Sequence, residues 1–473
     1  MLGTGNIERK NGTMYQINFQ KPCRIHFIGI GGISMSGLAE ILLSEGFTVS
    51  GSDMKASPLT ERLAGLGARI AIGQRAENIE HPDVVVYTAA IHPDNPELLA
   101  AKAAGVPLLT RAELLGELMH NYREAINVAG THGKTTTTSM ITEILMEAKL
   151  DPTVTVGGIL DSIGGNIRVG GSDYFVAEAC EYTNSFLSFD PTISVILNVE
   201  ADHLDFFKDI DDIRRSFRKF AQRLPQNERG FLVLNGDIRD REYFLKGLGC
   251  GHVTFGHGED NVYQAKSVTY DGRARASYNL MVRGENCGRV QLGVPGEHNV
   301  YNSLAAIAVA DHLGISRETS FRALAAYSGA ERRFEYKGEV HGVTIIDDYA
   351  HHPQEIEATL KAAEHYPHRR ICVAFQPYTY TRTKALLEDF AKALCRADLV
   401  ILADIYAARE QNTVGISSRD LEERIRALGG TVTYLPSFQR IEEFILKNLE
   451  PGDLLITMGA GNIADVGNEL ISR

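Results

Sequence analysis

No stretch of the 473-residue chain approaches the ~20 consecutive apolar residues that a membrane helix needs. One of the longest, residues 304–310, stops at Asp311. The opening MLGTGNIERKNG has no apolar segment, so no secretory signal is expected. The six cysteines (Cys23, Cys180, Cys250, Cys287, Cys372, Cys395) are scattered, and no CxxC occurs. That argues against a zinc ribbon or a redox dithiol. Basic residues are outnumbered, 48 Lys and Arg against 60 Asp and Glu, for a formal charge of −12. The deficit speaks against a general nucleic-acid binder, because phosphate backbones are held by Lys and Arg. A small anionic ligand is still admissible, since local donors outvote net charge at a pocket. Short-period repeats and low-complexity tracts are lacking too. These absences point to a cytoplasmic enzyme with reduced thiols, no nucleic-acid partner and no membrane insertion.

What is present is an ordinary globular composition, 44% apolar and 23% charged. At roughly 100–200 residues per domain, the length predicts about three domains. Strand-like runs at 24–28, 47–49, 83–87 and 106–109 alternate with helical patterns, which implies βαβ units and a parallel sheet. A second unit opens with a strand at 125–129 and continues with strands at 174–177 and 193–197. Between about 250 and 295, alternating segments flank Asp271-Gly272, a hairpin signal inside the middle unit. A third unit, from about Glu331, has strands at 343–346, 371–375, 399–402 and 454–457, separated by helical patterns at 355–363, 384–394 and 421–428. The expected fold is α/β in three domains: an N-terminal Rossmann-like unit (14–123), a central P-loop ATPase-type unit with an antiparallel subregion (124–330), and a C-terminal Rossmann-like unit (331–473). Residues 1–13 are expected to form a loose extension.

Gly130-Thr131-His132-Gly133-Lys134-Thr135-Thr136 sits between a strand and a helix, the context a phosphate loop requires. Its backbone N–H groups can wrap a phosphate. Lys134 is placed to neutralise β/γ-phosphates, and Thr135 to offer a hydroxyl to Mg²⁺. The full pattern wants a glycine at Val128, so this is a compact variant opening at Gly130. Glu178, after the 174–177 strand, and Asp202-His203, after the 193–197 strand, fall on the same sheet edge as Lys134. A carboxylate there suits a hard cation. Glu181 and Asp205 compete for that role, and spacing alone does not choose. In the first unit, Gly29-x-Gly31-x-x-Ser34 resembles a dinucleotide fingerprint without its last glycine, and Asp53 lies where an acid would hold a ribose. A nicotinamide dehydrogenase is therefore an alternative. The GKT loop argues against it, because hydride transfer has no use for that loop.

Together these residues resemble the Mur ligase family. The likeness is carried by His26-Phe-Ile-Gly-Ile-Gly-Gly-Ile33, Met35-Ser-Gly-Leu-Ala-Glu40 and Ala129-Gly-Thr-His-Gly-Lys-Thr-Thr-Thr-Thr138. It continues through Glu200-Ala-Asp-His203, Gly296-Glu-His-Asn-Val300 with Asn302, Arg332-Arg-Phe334, Asp347-Asp-Tyr-Ala-His-His-Pro353 and Gly459-Ala-Gly-Asn462. The resemblance implies ATP-dependent joining of L-alanine to the lactyl carboxylate of UDP-N-acetylmuramate through an acyl phosphate, a step in peptidoglycan precursor synthesis. A sister ligase that adds a peptide to the same sugar is the nearest rival. By the same resemblance Lys134, Glu178 and His203 are catalytic, and Mg²⁺ is held by Thr135, Glu178 and His203. ATP is implied to lie on Gly130, Thr131, His132, Gly133, Lys134, Thr135 and Thr136, with Asn299 and His298 at the adenine. Arg332 or Arg333 and Asp348 would reach ATP from the last domain. Gly29, Gly31, Gly32 and Asp53 would take the UDP-sugar; Tyr349, His351 and Arg382 would take the amino acid. Many relatives carry Glu-Ala-Asp-Glu-Ser where this chain has Glu178-Ala-Cys-Glu-Tyr182, and arginine where it has Thr379. Arg382 is then the arginine of the 376–382 run, and glycine or serine is expected to be admitted more readily.

Overall fold

The computed structural model describes residues 15–88, 90–203, 206–408 and 410–472. The expected extension over 1–13, the start at Met14 and the candidate Asp205 lie outside the described residues. Three sheets organise the chain. The first has strands β1 (Arg24–Ile28), β2 (Thr48–Asp53), β3 (Arg69–Ile72), β4 (Val84–Tyr87) and β5 (Leu108–Thr110) in the order β3-β2-β1-β4-β5, all parallel. Parallel strands covered on both faces read as near-continuous apolar runs, and Val84-Val-Val-Tyr87 is one.

The central sheet holds β6 (Glu124–Ala129), β7 (Thr153–Leu160), β8 (Gly165–Arg168), β9 (Tyr174–Ala179), β10 (Ile193–Ile196), β11 (Phe231–Asn235), β12 (Gly251–Phe255), β13 (Tyr263–Tyr270), β14 (Arg275–Val282) and β15 (Glu285–Pro295). Their order is β15-β14-β13-β12-β11-β10-β6-β9-β7-β8. Pairing is parallel from β13 to β7 and antiparallel at both margins. The β13–β14 turn falls at Asp271, whose Oδ1 accepts the N–H groups of Arg273 (2.8 Å) and Arg275 (3.0 Å). Because β6 lies between β10 and β9, the loops after all three strands share one edge.

The third sheet is β16 (Glu335–Val340), β17 (Val343–Asp348), β18 (Ile371–Phe375), β19 (Leu399–Leu402), β20 (Val432–Tyr434) and β21 (Leu454–Met458), in the order β16-β17-β21-β18-β19-β20. It is parallel apart from the antiparallel edge pair β16–β17. The single helix expected over 384–394 is broken into Tyr380–Ala385 and Leu387–Leu394.

One apolar core runs from the first sheet (Phe27, Leu115) onto one face of the central sheet (Phe175, Phe186, Phe217). At that junction the helix Ile33–Ser44 meets β8 so closely that a Cβ on Gly37 would lie 1.7 Å from Ile167 Cδ1. The other face of the central sheet packs on the helix Glu297–His312 through Leu304 and Ile307. The third sheet has cores of its own on both faces. Among the described residues, no helix is long and apolar enough to cross a membrane.

Candidate active site

β6 feeds through Gly130-Thr131-His132-Gly133 into the helix Lys134–Glu147. Gly133 sits at φ 82°, and a Cβ there would come within 2.6 Å of Asn302 Oδ1. Only glycine allows that turn beside that neighbour. Asn198, just past β10, braces the loop: its Oδ1 accepts His132 N–H (2.8 Å) and its Nδ2 donates to His132 O (3.1 Å). The Thr131 hydroxyl accepts the Glu200 N–H at 3.0 Å.

Lys134 Nζ donates to Gly130 O (2.5 Å), to Thr131 O (3.1 Å) and to the Glu181 carboxylate (3.0 Å to Oε2). Burial opposes the ammonium's charge, but Glu181 outweighs it and holds the lysine pKa above its ordinary value. Glu181 is 2% exposed, and its Oε1 lies 3.9 Å from His203 Nε2. Burial keeps His203 below the usual histidine range despite Asp202 and Glu181, so it is neutral near pH 7. The ring of Tyr182 lies 4.6 Å from that imidazole. Glu178 accepts the Gly157 N–H through Oε1 at 2.6 Å. Thr135 stands beside the next residue, Gly158, where a Cβ would meet its Cγ2 at 3.1 Å. The structure thus gathers Lys134, Thr135, Glu178 and His203 at one sheet edge.

A hydroxyl and a carboxylate are the oxygen donors Mg²⁺ takes from protein, with phosphates and water completing its sphere. Thr135 and Glu178 fit that division. Among the described residues, no three His, Cys, Asp or Glu side chains converge into a cage of their own.

A cavity of about 390 Å³ opens beside the loop, between the central and C-terminal sheets. Thr136, His298, Asn299 and Asn302 wall it from the central unit, and Arg333 and Asp348 from the C-terminal unit. Burial pushes the His298 pKa down to about 4, helped by Arg333. Burial raises Asp348 to about 6, against Arg333 and the N–H groups of Phe334 and Ala350, each 2.8 Å from a carboxylate oxygen. Of the two candidate arginines, Arg333 lines the cavity and donates to Thr135 Oγ1 at 3.3 Å. Arg332 is spent elsewhere: it pairs with buried Asp347 (2.8 Å) and donates to Gly459 O and Gly461 O.

The Asp348–Pro353 turn leads into the helix Pro353–Glu364, whose first-turn Glu355 caps it by accepting the N–H groups of His351 (3.0 Å) and His352 (3.2 Å). Glu355 also reaches His132 Nδ1 at 3.2 Å, while Gln354 meets Nε2 at 3.1 Å. Burial disfavours a charge on His132, but Glu200 and Glu355 outweigh it and lift its pKa to about 10. Burial likewise opposes Glu355 ionisation, and His351 and His132 hold its carboxyl well below the ordinary range. The Tyr349 ring lies under both Arg332 (5.0 Å) and Arg333 (5.3 Å). His351 packs between the rings of Tyr349 and Tyr378. Arg382 pairs with Asp202 at 3.3 Å, and its Nη1 is buried with no hydrogen-bond partner among the described residues.

On the first sheet, Gly29 and Ile30 donate to Ser52 O at 2.9 Å, Gly31 donates to Asp53 Oδ2 at 2.8 Å, and Gly32 opens the helix Ile33–Ser44. One Asp53 oxygen therefore holds the glycine turn itself. Sequence reasoning left Glu181 open, quoted Asn302 without a role, and missed Asn198, Gln354 and Glu355. For Glu355 a signal was present: an acid three residues after His352 with Pro353 between, the pattern of a capped helix start.

Three sheets with a phosphate loop at the edge of the central one, faced by Arg333 from the C-terminal unit, make a three-domain nucleotide-binding protein, and the chain belongs to the Mur ligase family. It matches that family's catalytic domain over residues 24–123, the Mur ligase middle domain over 128–310 and the Mur ligase glutamate ligase domain over 332–461. It is 59% identical to the UDP-N-acetylmuramate–L-alanine ligase of Lachnospira eligens, across 97% of this chain and 100% of the relative. A crystal structure of UDP-N-acetylmuramate–alanine ligase from Thermotoga maritima superposes with a TM-score of 0.77 at 30% identity, covering 95% of this chain and 99% of that one. A murein peptide ligase from Psychrobacter arcticus follows at 0.67 and 25%, covering 95% and 98%.

Proposed function

We propose that the chain joins L-alanine to the lactyl carboxylate of UDP-N-acetylmuramate, converting ATP to ADP and phosphate. The near-full-length identity to an alanine-adding ligase carries this reading, and the site chemistry fits it. A lactyl carboxylate oxygen attacks the γ-phosphorus of ATP. The new O–P bond forms as the bond to the β-phosphate oxygen breaks, giving an acyl phosphate and ADP. The free amine of alanine then attacks the acyl carbon, an N–C bond forms, the amine sheds its proton, and phosphate leaves.

A carboxylate approaching a triphosphate is anion meeting anion, so catalysis consists of charge neutralisation and alignment. Lys134 supplies positive charge at the loop, and Arg333 adds a second cation from the C-terminal unit. A bound Mg²⁺ would be held by Thr135, Glu178 and His203 and would supply further charge neutralisation at the phosphates. His298 and Asn299 line the adenine side of the cavity. Arg382 offers Nη1, which has no hydrogen-bond partner among the described residues, to the alanine carboxylate, and Tyr349 and His351 complete that pocket. The glycine turn of Gly29, Gly31 and Gly32, with Asp53, takes the UDP-sugar. On this reading residues 14–123 serve the sugar, 124–330 ATP, and 331–473 the amino acid and closure, and the reaction takes place in the cytoplasm, where ATP and UDP-sugars are supplied. The test is a phosphate-release assay over a panel of UDP-sugars and amino acids. Release is expected only when UDP-N-acetylmuramate, MgATP and a small amino acid are present together, with alanine the best and glycine or serine weaker. Release driven by a peptide in place of alanine would reassign the chain to the peptide-adding branch.

A further inference from the structure

We propose that Glu181 is a resident counter-anion that makes nucleotide binding at the phosphate loop contingent on a divalent cation. The inference rests on the reading of the loop as the ATP site, and it concerns what must happen to Lys134 when the phosphates arrive.

A lysine ammonium has three N–H donors and no acceptor. Lys134 spends all three: on Gly130 O, on Thr131 O and on the Glu181 carboxylate. No donor is left for a phosphate oxygen, so an incoming nucleotide must displace a partner. If it displaces a loop carbonyl, a phosphate and the Glu181 carboxylate crowd one ammonium, like charge against like. If it displaces Glu181, a carboxylate only 2% exposed is left without its cation, and an uncompensated buried charge is costly. Both routes penalise the bare nucleotide. Of the groups that Lys134 faces besides Glu181, Cys180 and Glu178 supply no positive charge. The positive charge that releases Glu181 from Lys134 therefore arrives with the nucleotide, as its divalent counter-ion. Glu181 is in this sense a positioning residue: it holds Lys134 against the loop until both arrive, and it discriminates metal-loaded from metal-free nucleotide.

The test is calorimetric binding of ATP to the full chain without UDP-sugar or amino acid, once with Mg²⁺ and once with EDTA. The readout is the ratio of the two dissociation constants. The wild-type ratio is expected to exceed a hundredfold. Glu181→Gln keeps the side-chain shape and removes the charge, so metal-free ATP should bind at least tenfold tighter and the ratio should shrink at least tenfold. Glu181→Asp keeps the charge and should leave the ratio within about threefold of wild type. A residue with a merely structural role would weaken both affinities together and leave the ratio unmoved. An unchanged ratio in Glu181→Gln, or one equally reduced in Glu181→Asp, overturns the proposal. Should Glu181→Gln fail to fold, Glu181→Ser carries the same expectation and the same refutation. Failure of the wild-type protein to bind MgATP at all would instead take down the nucleotide reading, and this inference with it.

Discussion

At Lys134 one ammonium is shared among two loop carbonyls and a carboxylate. Replacing it by alanine removes the cation on which phosphoryl transfer depends. Lys134→Ala should lower kcat at least 10²–10³-fold, about 3–4 kcal/mol of transition-state stabilisation, with the native circular dichroism retained; phosphate release measures it, and a variant keeping most of its rate contradicts the role. The neighbouring arginines should separate cleanly. Arg333→Ala should raise the KM for ATP and leave Tm nearly unchanged, since this side chain lines the cavity. Arg332→Ala strands Asp347, which is 1% exposed, and should destabilise the fold by about 3–5 kcal/mol, read from denaturant unfolding. Arg382→Ala should raise the KM for the amino acid most of all. With Thr379 beside it in place of a second arginine, turnover with glycine or serine should be measurable in the wild type; efficient turnover with alanine and none measurable with glycine or serine would remove that expectation.

At the level of elements, the phosphate loop works because a strand end, two glycines and a helix start are locked by neighbours from other parts of the chain. Gly133→Ala places a Cβ 2.6 Å from Asn302 Oδ1 at φ 82°. It should cost about 1–3 kcal/mol of stability and weaken nucleotide binding, whereas alanine at Gly272, where a Cβ meets nothing within 4 Å, should do neither. The elements legible in the sequence were those with strong local patterns: the apolar runs of β4 and β21, the strand–GKT–helix order, and the Asp271 turn. Short edge strands such as β3, β8 and β20 escaped, because a few half-exposed residues carry no periodicity. The break at Leu386 escaped as well: its backbone leaves the helical region at φ −112°, ψ 21° with no Gly or Pro to announce it. The gathering of Lys134, Glu178 and His203 at one sheet edge was legible from strand ends and motif order. The preference for Arg333 over Arg332 was not, since two adjacent arginines differ only in which way the turn points them. Nor was the Glu181 contact, which joins residues 47 apart in the chain.

Across the whole molecule, the bond from His132 to Glu355 ties the central unit to the C-terminal one at 3.2 Å. Folding raises the His132 pKa to about 10, with the carboxylates of Glu200 and Glu355 overcoming burial, from an unfolded value of about 6.5. A group raised on folding stabilises fully below its unfolded pKa, and the contribution fades as pH climbs through the folded one. Tm should therefore fall between about pH 6.5 and 10, and His132→Gln should flatten that fall; identical slopes in the two proteins would refute the bridge.

The break in the apolar interior has its own consequence. Phe27 and Phe175 belong to one uninterrupted core, while Phe375 and Phe390 belong to another. The machine thus has a fixed anvil, built from the first two sheets, and a single jaw. On the proposed reading, hinging of that jaw would leave the sugar nucleotide's socket unchanged and would reach only ATP and the amino acid.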